Sequence, residues 1–191
     1  MMTPTHVLLS ASIWAHPGRR TIIAAAVAGA LAPDIFMYGL FAWAKLTGVP
    51  DSELWGRIYF SGTVRSIGGA SHSFIVWGAI LAGGWVWRKP VIVVFALSGL
   101  LHAACDFLVH HDDAHAQFWP LTMWTFASPV SYWDPRYYGM IFAPLELASG
   151  LVLSVMMVRR FRGPGRVAFA GLVALYGVGL GAFVWFVMVA G

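Results

Sequence analysis

The chain has 191 residues, 59% of them hydrophobic and 10% charged, with ten Trp, thirteen Phe and a formal charge of +4. A soluble domain carries about 25% charged residues, so this composition and a mean hydropathy of +0.73 point to one integral membrane domain covering residues 1–191. The small positive charge lacks the basic face that nucleic acid requires, so the partners expected are membrane lipids.

The first stretch in chain order, TPTHVLLSASIWAHPGRR, is too short to cross a bilayer, which takes roughly 20 mostly apolar residues. It reads as a half-helix ending at Pro17-Gly18 and folding back on the next segment as a hairpin, with His16 as an interfacial residue before the turn. A rival reading of GRRTIIAAAVAGALA is a twin-arginine export signal. Apolar sequence continues through IFMYGLFAWA, which favours an uncleaved span. Five spans follow, at about Thr21–Ala44, Ile67–Trp87, Pro90–His110, Tyr138–Val158 and Arg166–Ala190. The expected class is therefore all-α: a polytopic membrane helical bundle of five transmembrane helices plus an N-terminal half-helix. Pro33-Asp34 interrupts span one and Gly-Gly pairs interrupt span two, breaks tolerated where protein re-satisfies the backbone. The single cysteine, Cys105, lies within span three, so no intramolecular disulfide can form.

Arg19-Arg20, Arg88-Lys89 and RRFRGPGR (159–166) fall on one side of this arrangement, which the positive-inside rule makes cytoplasmic. Helix rise then sets depth. His102 lies ~12 Å below the outer end of span three and Asp106 ~6 Å. Glu146 lies ~12 Å below the end of span four, and Asp34 ~15 Å below that of span one. His72 sits at the outer mouth of span two, and His6 is placed toward the level of Asp34. Ionisable groups at membrane depth cost roughly 2.5–3.5 kcal/mol each on insertion scales, so their gathering in one half marks a functional site.

His102 and Asp106 are spaced i, i+4 and project from one helix face, which His110 extends by a turn. An imidazole and a carboxylate on one face suit a borderline divalent metal such as zinc, with other segments completing the shell. The cation would also neutralise carboxylates that are costly to bury alone. Taken alone, His72 reads as a residue at a helix N-terminus capped by Ser71, and His102–Asp106 as a buried hydrogen-bonded pair. HHDDAH (110–115) reads most simply as a solvated loop. The aromatic, proline-rich FWPLTMWTFASPVSYWDPRYY (118–138) reads as a belt at headgroup level. Gly177 and Gly181 supply GxxxG spacing for close helix packing.

Thr5-His6, Ala32-Pro33-Asp34, Ser71-His72-Ser73, His102–Asp106 and Phe118-Trp119-Pro120 follow one another in order. In that order the chain resembles a family of bacterial inner-membrane metal-dependent hydrolases, some LexA-regulated, with a subgroup labelled as cobalamin biosynthesis. The likeness covers about residues 5 to 130. Phe36 stands where the family often has a second Asp, and only Arg65 remains of an upstream His-Arg. More distantly the ligand order is similar to the zinc phospholipase C and P1-nuclease superfamily.

The resemblance implies that Asp34, His72, His102 and Asp106 surround one ion while His6 shares Asp106 at another. The cofactor implied is one or two divalent ions, zinc first. The superfamily's later HxxxE is missing, and His110, His111, Asp112, Asp113, His115 and Glu146 are the candidates to replace it. The catalytic set is then Asp34, His110, Asp113 and Glu146. Zinc lowers the pKa of the water it binds toward ~7 and stabilises charge on a phosphoryl oxygen. A lipid phosphoester at the outer face of the bacterial inner membrane is the implied substrate. The alternative from another class is a transporter or accessory subunit that uses buried His and Asp for metal or proton handling.

Overall fold

A computed structural model describes residues 1–190, and among these every regular element is helical. The labelled helices are α1 (Thr3–Trp14), α2 (Arg20–Leu31), α3 (Ile35–Thr47), α4 (Gly62–Ser71), α5 (Phe74–Val86), α6 (Pro90–Val109), α7 (Gly139–Arg160) and α8 (Gly163–Ala190). Short helical turns at Asp51–Glu53, Leu54–Ile58 and Pro135–Tyr137 lie between them. Four stretches are long and apolar enough to cross a membrane: Gly62–Val86, Pro90–Val109, Gly139–Arg160 and Gly163–Val189. The bent pair α2–α3 makes a fifth if it is one span. The all-helical membrane bundle read from the sequence is thus the fold.

The breaks have local causes. Proline has no N–H to donate and its ring crowds the carbonyl four residues back, so Pro33 divides α2 from α3 at a bend of 60° although Ala32 before it keeps helical backbone. The Gly-Gly pairs expected to interrupt span two do not, because Gly68-Gly69 and Gly83-Gly84 lie within α4 and α5. They serve close packing instead: a Cβ on Gly84 would come within 2.8 Å of the Ile92 side chain. The interruption falls at His72-Ser73. The cap is Ser73, not Ser71: its Oγ accepts from the backbone N–H groups of Ile75 and Val76, while Ser71 Oγ turns back to the Gly68 carbonyl. His72 therefore closes α4 rather than opening a helix.

Helix α6 is the hub, packed against α2, α5 and α1, while α7 packs against α8 and α1. Without a hydrophobic force between helices in lipid, small residues set how closely they approach. A Cβ on Gly29 of α2 would lie 2.1 Å from the Phe95 carbonyl oxygen of α6. One on Gly99 of α6 would lie 2.4 Å from the Trp77 ring, and one on Gly150 of α7 2.2 Å from that of Tyr176.

The half-helix α1 folds back on α2 as expected, turning at Pro17-Gly18. Leu8, Ala11 and Ala15 pack with Met157, Phe161 and Tyr176. Arg160 donates to the Ser12 and Ala15 carbonyls at 2.7 and 3.2 Å, so a cation satisfies the end of α1. The outside of the bundle is apolar, with Val178, Trp185 and Met188 of α8 exposed, whereas Asp34, His72, His102 and Asp106 are buried. This distribution suits a lipid solvent. It also places the polar groups around the α1–α2–α6 contact and the α4–α5 break.

Candidate metal centre

Four side chains from three segments converge at that place. Asp34 stands at the α2–α3 break, His72 at the α4–α5 break, and His102 and Asp106 one turn apart on α6. All four are buried, and one ligand atom from each lies within 4.8 Å of the others. His102 Nε2 is 3.0 Å from Asp106 Oδ2 and 3.4 Å from Asp34 Oδ1. His72 Nε2 is 3.5 and 3.7 Å from the same two oxygens. A tetrahedron with zinc–ligand bonds of about 2.0–2.1 Å has edges of about 3.3 Å. Four of the six ligand–ligand distances, at 3.0–3.7 Å, lie near that edge length.

The hydrogen bonds around these rings fix which nitrogen faces the centre. His102 Nδ1 lies 2.7 Å from the Ala30 carbonyl oxygen, and His72 Nδ1 lies 3.0 Å from that of Gly68. A carbonyl only accepts, so each Nδ1 bears the proton and each neutral ring presents a bare Nε2 lone pair. Both Nε2 atoms are buried and make no hydrogen bond despite the nearby carboxylates. Two lone pairs and two carboxylates facing one point, with no proton between them, fit a bound cation. Asp34 is held from outside, where Thr3 Oγ1 donates to its Oδ2 at 2.5 Å and Tyr38 in turn donates to Thr3.

Asp106 faces two ways. Its second oxygen, Oδ1, lies 2.9 Å from His6 Nε2, 3.3 Å from His110 Nε2 and 2.6 Å from the Met1 nitrogen. His6 stacks on His102 with ring centroids 3.5 Å apart. His6 is therefore one carboxylate away from the four-residue cluster and outside it.

The segment 110–115 is less solvated than a plain loop. His110 is buried, and its Nδ1 is 3.0 Å from Asp113 Oδ2, which also accepts from Trp133 Nε1 at 3.0 Å. Burial raises the Asp113 carboxyl, but the hydrogen bond and charge of His110 outweigh it and hold the group below its ordinary value. Burial and then His72 pull the His115 imidazole well down, so this ring, stacked 3.6 Å from His72, is neutral. His111 and Asp112 turn away, toward the Ser128 carbonyl and Arg136 respectively. Glu146 is buried one step further off. Its Oε1 accepts from the Met2 N–H at 2.6 Å, and Oε2 has no partner.

The loop between α6 and α7 is clamped over the α4–α5 break. Phe74 donates to the Gln117 carbonyl and Ser73 to that of Trp119. A cavity of about 290 Å³ opens onto Asp34, Asp106, His110 and Asp113 and is also lined by Tyr38, Tyr59 and Tyr132. Burial, then Asp113 and Asp106, raise the phenols of Tyr59 and Tyr132, so both stay protonated and available as donors. These tyrosines, Thr3 and the Ala30 carbonyl were not legible as site groups. Thr3 sits three residues before His6 in TPTH, a faint cue, whereas a carbonyl leaves no mark in a sequence.

The four-residue cluster can hold a metal ion, and the chain is built to sit in a membrane. Comparison with family models, curated proteins and solved structures finds no match to this chain.

Proposed function

We propose that this chain is a membrane-embedded, metal-dependent hydrolase of a lipid-like phosphoester, working at the outer face of a bacterial inner membrane. The observation that carries the proposal is the division of Asp106, with Oδ2 directed to His102 and His72 and Oδ1 to His6 and His110. That arrangement suits one ion in the four-residue cluster and a second beside Oδ1, zinc being the ion favoured by mixed imidazole and carboxylate donors. Such ions supply an activated water near neutral pH and stabilise charge on a phosphoryl oxygen.

The chain's own groups have separable tasks. Asp34, held by Thr3, keeps one carboxylate oxygen on the cluster. His110 lines the cavity with Nδ1 3.0 Å from Asp113 and Nε2 beside Asp106 Oδ1 and the Met1 nitrogen. It is the group placed to pass a proton to the leaving oxygen as water displaces it and the phosphorus–oxygen bond breaks. Tyr59 and Tyr132 offer hydroxyl donors along the cavity wall. Glu146 anchors the start of α1 through Met2, and its free Oε2 is a further proton acceptor. The depth of the cluster, with exposed Trp124, Trp133 and Leu121 around the outer loop, favours a substrate taken from the lipid interface.

The test is release of headgroup or phosphate from a panel of short-chain phospholipids by purified, zinc-loaded protein. Turnover of at least one lipid, abolished by a chelator and restored by zinc, is the expected result. No release from any lipid of the panel overturns the lipid-esterase reading.

A further inference from the structure

A second cleft adjoins the cavity on the cluster and shares Met37, Tyr59, Asp113 and His115 with it. One wall is apolar, formed by Phe36, Leu40, Phe60, Val64 and Met123, and Arg65 lies at its rim. The first cleft joins these apolar side chains to His72 of the cluster, and the adjoining cavity reaches Asp34 and Asp106.

Arg65 differs from the other cations on this side of the molecule. Lys45 pairs with Asp51, Arg57 with Glu53, and Arg136 with Asp112 and Asp134. Among the described residues Arg65 makes no side-chain hydrogen bond or ion pair. It stands seven residues before His72, and seven residues are nearly two full turns, so both project from the same face of α4. The Cα of Arg65 is then about 10 Å outward of that of His72, and an extended arginine covers most of that distance. Gly68, between them on that face, leaves only the His115 ring within 4 Å of where its Cβ would be. The acidic residues of the cleft do not cancel the arginine. Asp112 is engaged by Arg136 at 2.8 Å, and Asp113 by His110 and Trp133 at 3.0 Å each.

We infer that Arg65 is a specificity-determining residue that binds the anionic head of an amphiphilic substrate while the Phe36–Leu40–Phe60–Val64 slot takes its chain. This rests on the hydrolase reading and narrows it: the preferred lipid carries a net negative head, not a zwitterionic one. Guanidinium suits this task because it is always charged: it attracts a head of net negative charge and is opposed by the quaternary ammonium of a zwitterionic one.

The experiment measures binding of dihexanoyl phosphatidylglycerol and dihexanoyl phosphatidylcholine to zinc-loaded protein in detergent, for wild type, Arg65→Gln and Arg65→Lys. Metal content is determined on the same samples. Wild type is expected to bind the anionic lipid about tenfold or more tightly than the zwitterionic one, because the choline ammonium offsets the attraction between its phosphate and the guanidinium. Arg65→Gln should bring the two lipids level with metal content unchanged, and Arg65→Lys should restore part of the preference. Equal binding of both lipids by wild type, or an undiminished preference in Arg65→Gln, overturns the inference. Failure of the hydrolase reading shows separately, as absent turnover in a protein that still discriminates between the lipids.

Discussion

On the hydrolase function proposed above, Asp106→Asn is expected to lower turnover by about 10³-fold or more while leaving the helical content unchanged. The magnitude follows from the several kcal/mol that a metal centre contributes to charge stabilisation in the transition state. The amide is nearly isosteric with the carboxylate, so packing around α6 persists. What is lost is the negative charge that both halves of the centre share, since Oδ2 faces His102 and Oδ1 faces His6 and His110. Circular dichroism and size-exclusion chromatography, run beside the activity assay, separate this from misfolding. A folded Asp106→Asn protein with wild-type turnover would show that Asp106 has no part in the chemistry.

Gly29→Ala is the second large effect, and it touches no ligand. The added methyl meets the Phe95 carbonyl oxygen at 2.1 Å and Ser98 Cβ at 2.9 Å. The first of these is backbone, so no side-chain rotation relieves it and α2 must move from α6. Overpacking of this kind costs about 1–3 kcal/mol. The displacement reaches the centre directly. Ala30, the next residue, holds His102 Nδ1 through its carbonyl at 2.7 Å, and Asp34 follows four residues later. Loss of such a supporting contact typically weakens metal binding by 10–100-fold. A zinc competition titration of Gly29→Ala should show a loss in that range together with a lower unfolding temperature. Unchanged affinity and stability would contradict a close α2–α6 contact at Gly29.

The sequence and the structure agree where strong local physics acts. Pro33 marks a break within an apolar stretch, and the mostly apolar twenty residues from Pro90 to Val109 are long enough to span a membrane. The cluster was legible because ionisable residues are rare at membrane depth, and because rise per residue set Asp34, His102 and Asp106 in the same half of the membrane. The second break was misplaced for an equally physical reason. Paired glycines look like breakers, but Gly69 lies against Ala116 and Gly84 against Ile92, where absent side chains permit contact. The actual break is set by Ser73 Oγ, which caps α5 and also donates to the Trp119 carbonyl, 46 residues away. No local pattern encodes that partner. The same holds for the Ala30 and Gly68 carbonyls that orient the two imidazoles, and for the burial of His110 under its loop. HHDDAH reads as solvated from composition; Asp113 and Trp133 draw His110 inward instead.

The central claim is that Asp34, His72, His102 and Asp106 together hold a divalent cation. Its most direct test is mass-spectrometric metal analysis of protein purified without chelator and loaded with zinc, beside His102→Ala treated identically. At least one ion per wild-type chain, lost from the variant, is the result this account predicts. A wild type that retains no metal after loading, or a variant that retains as much, would contradict it.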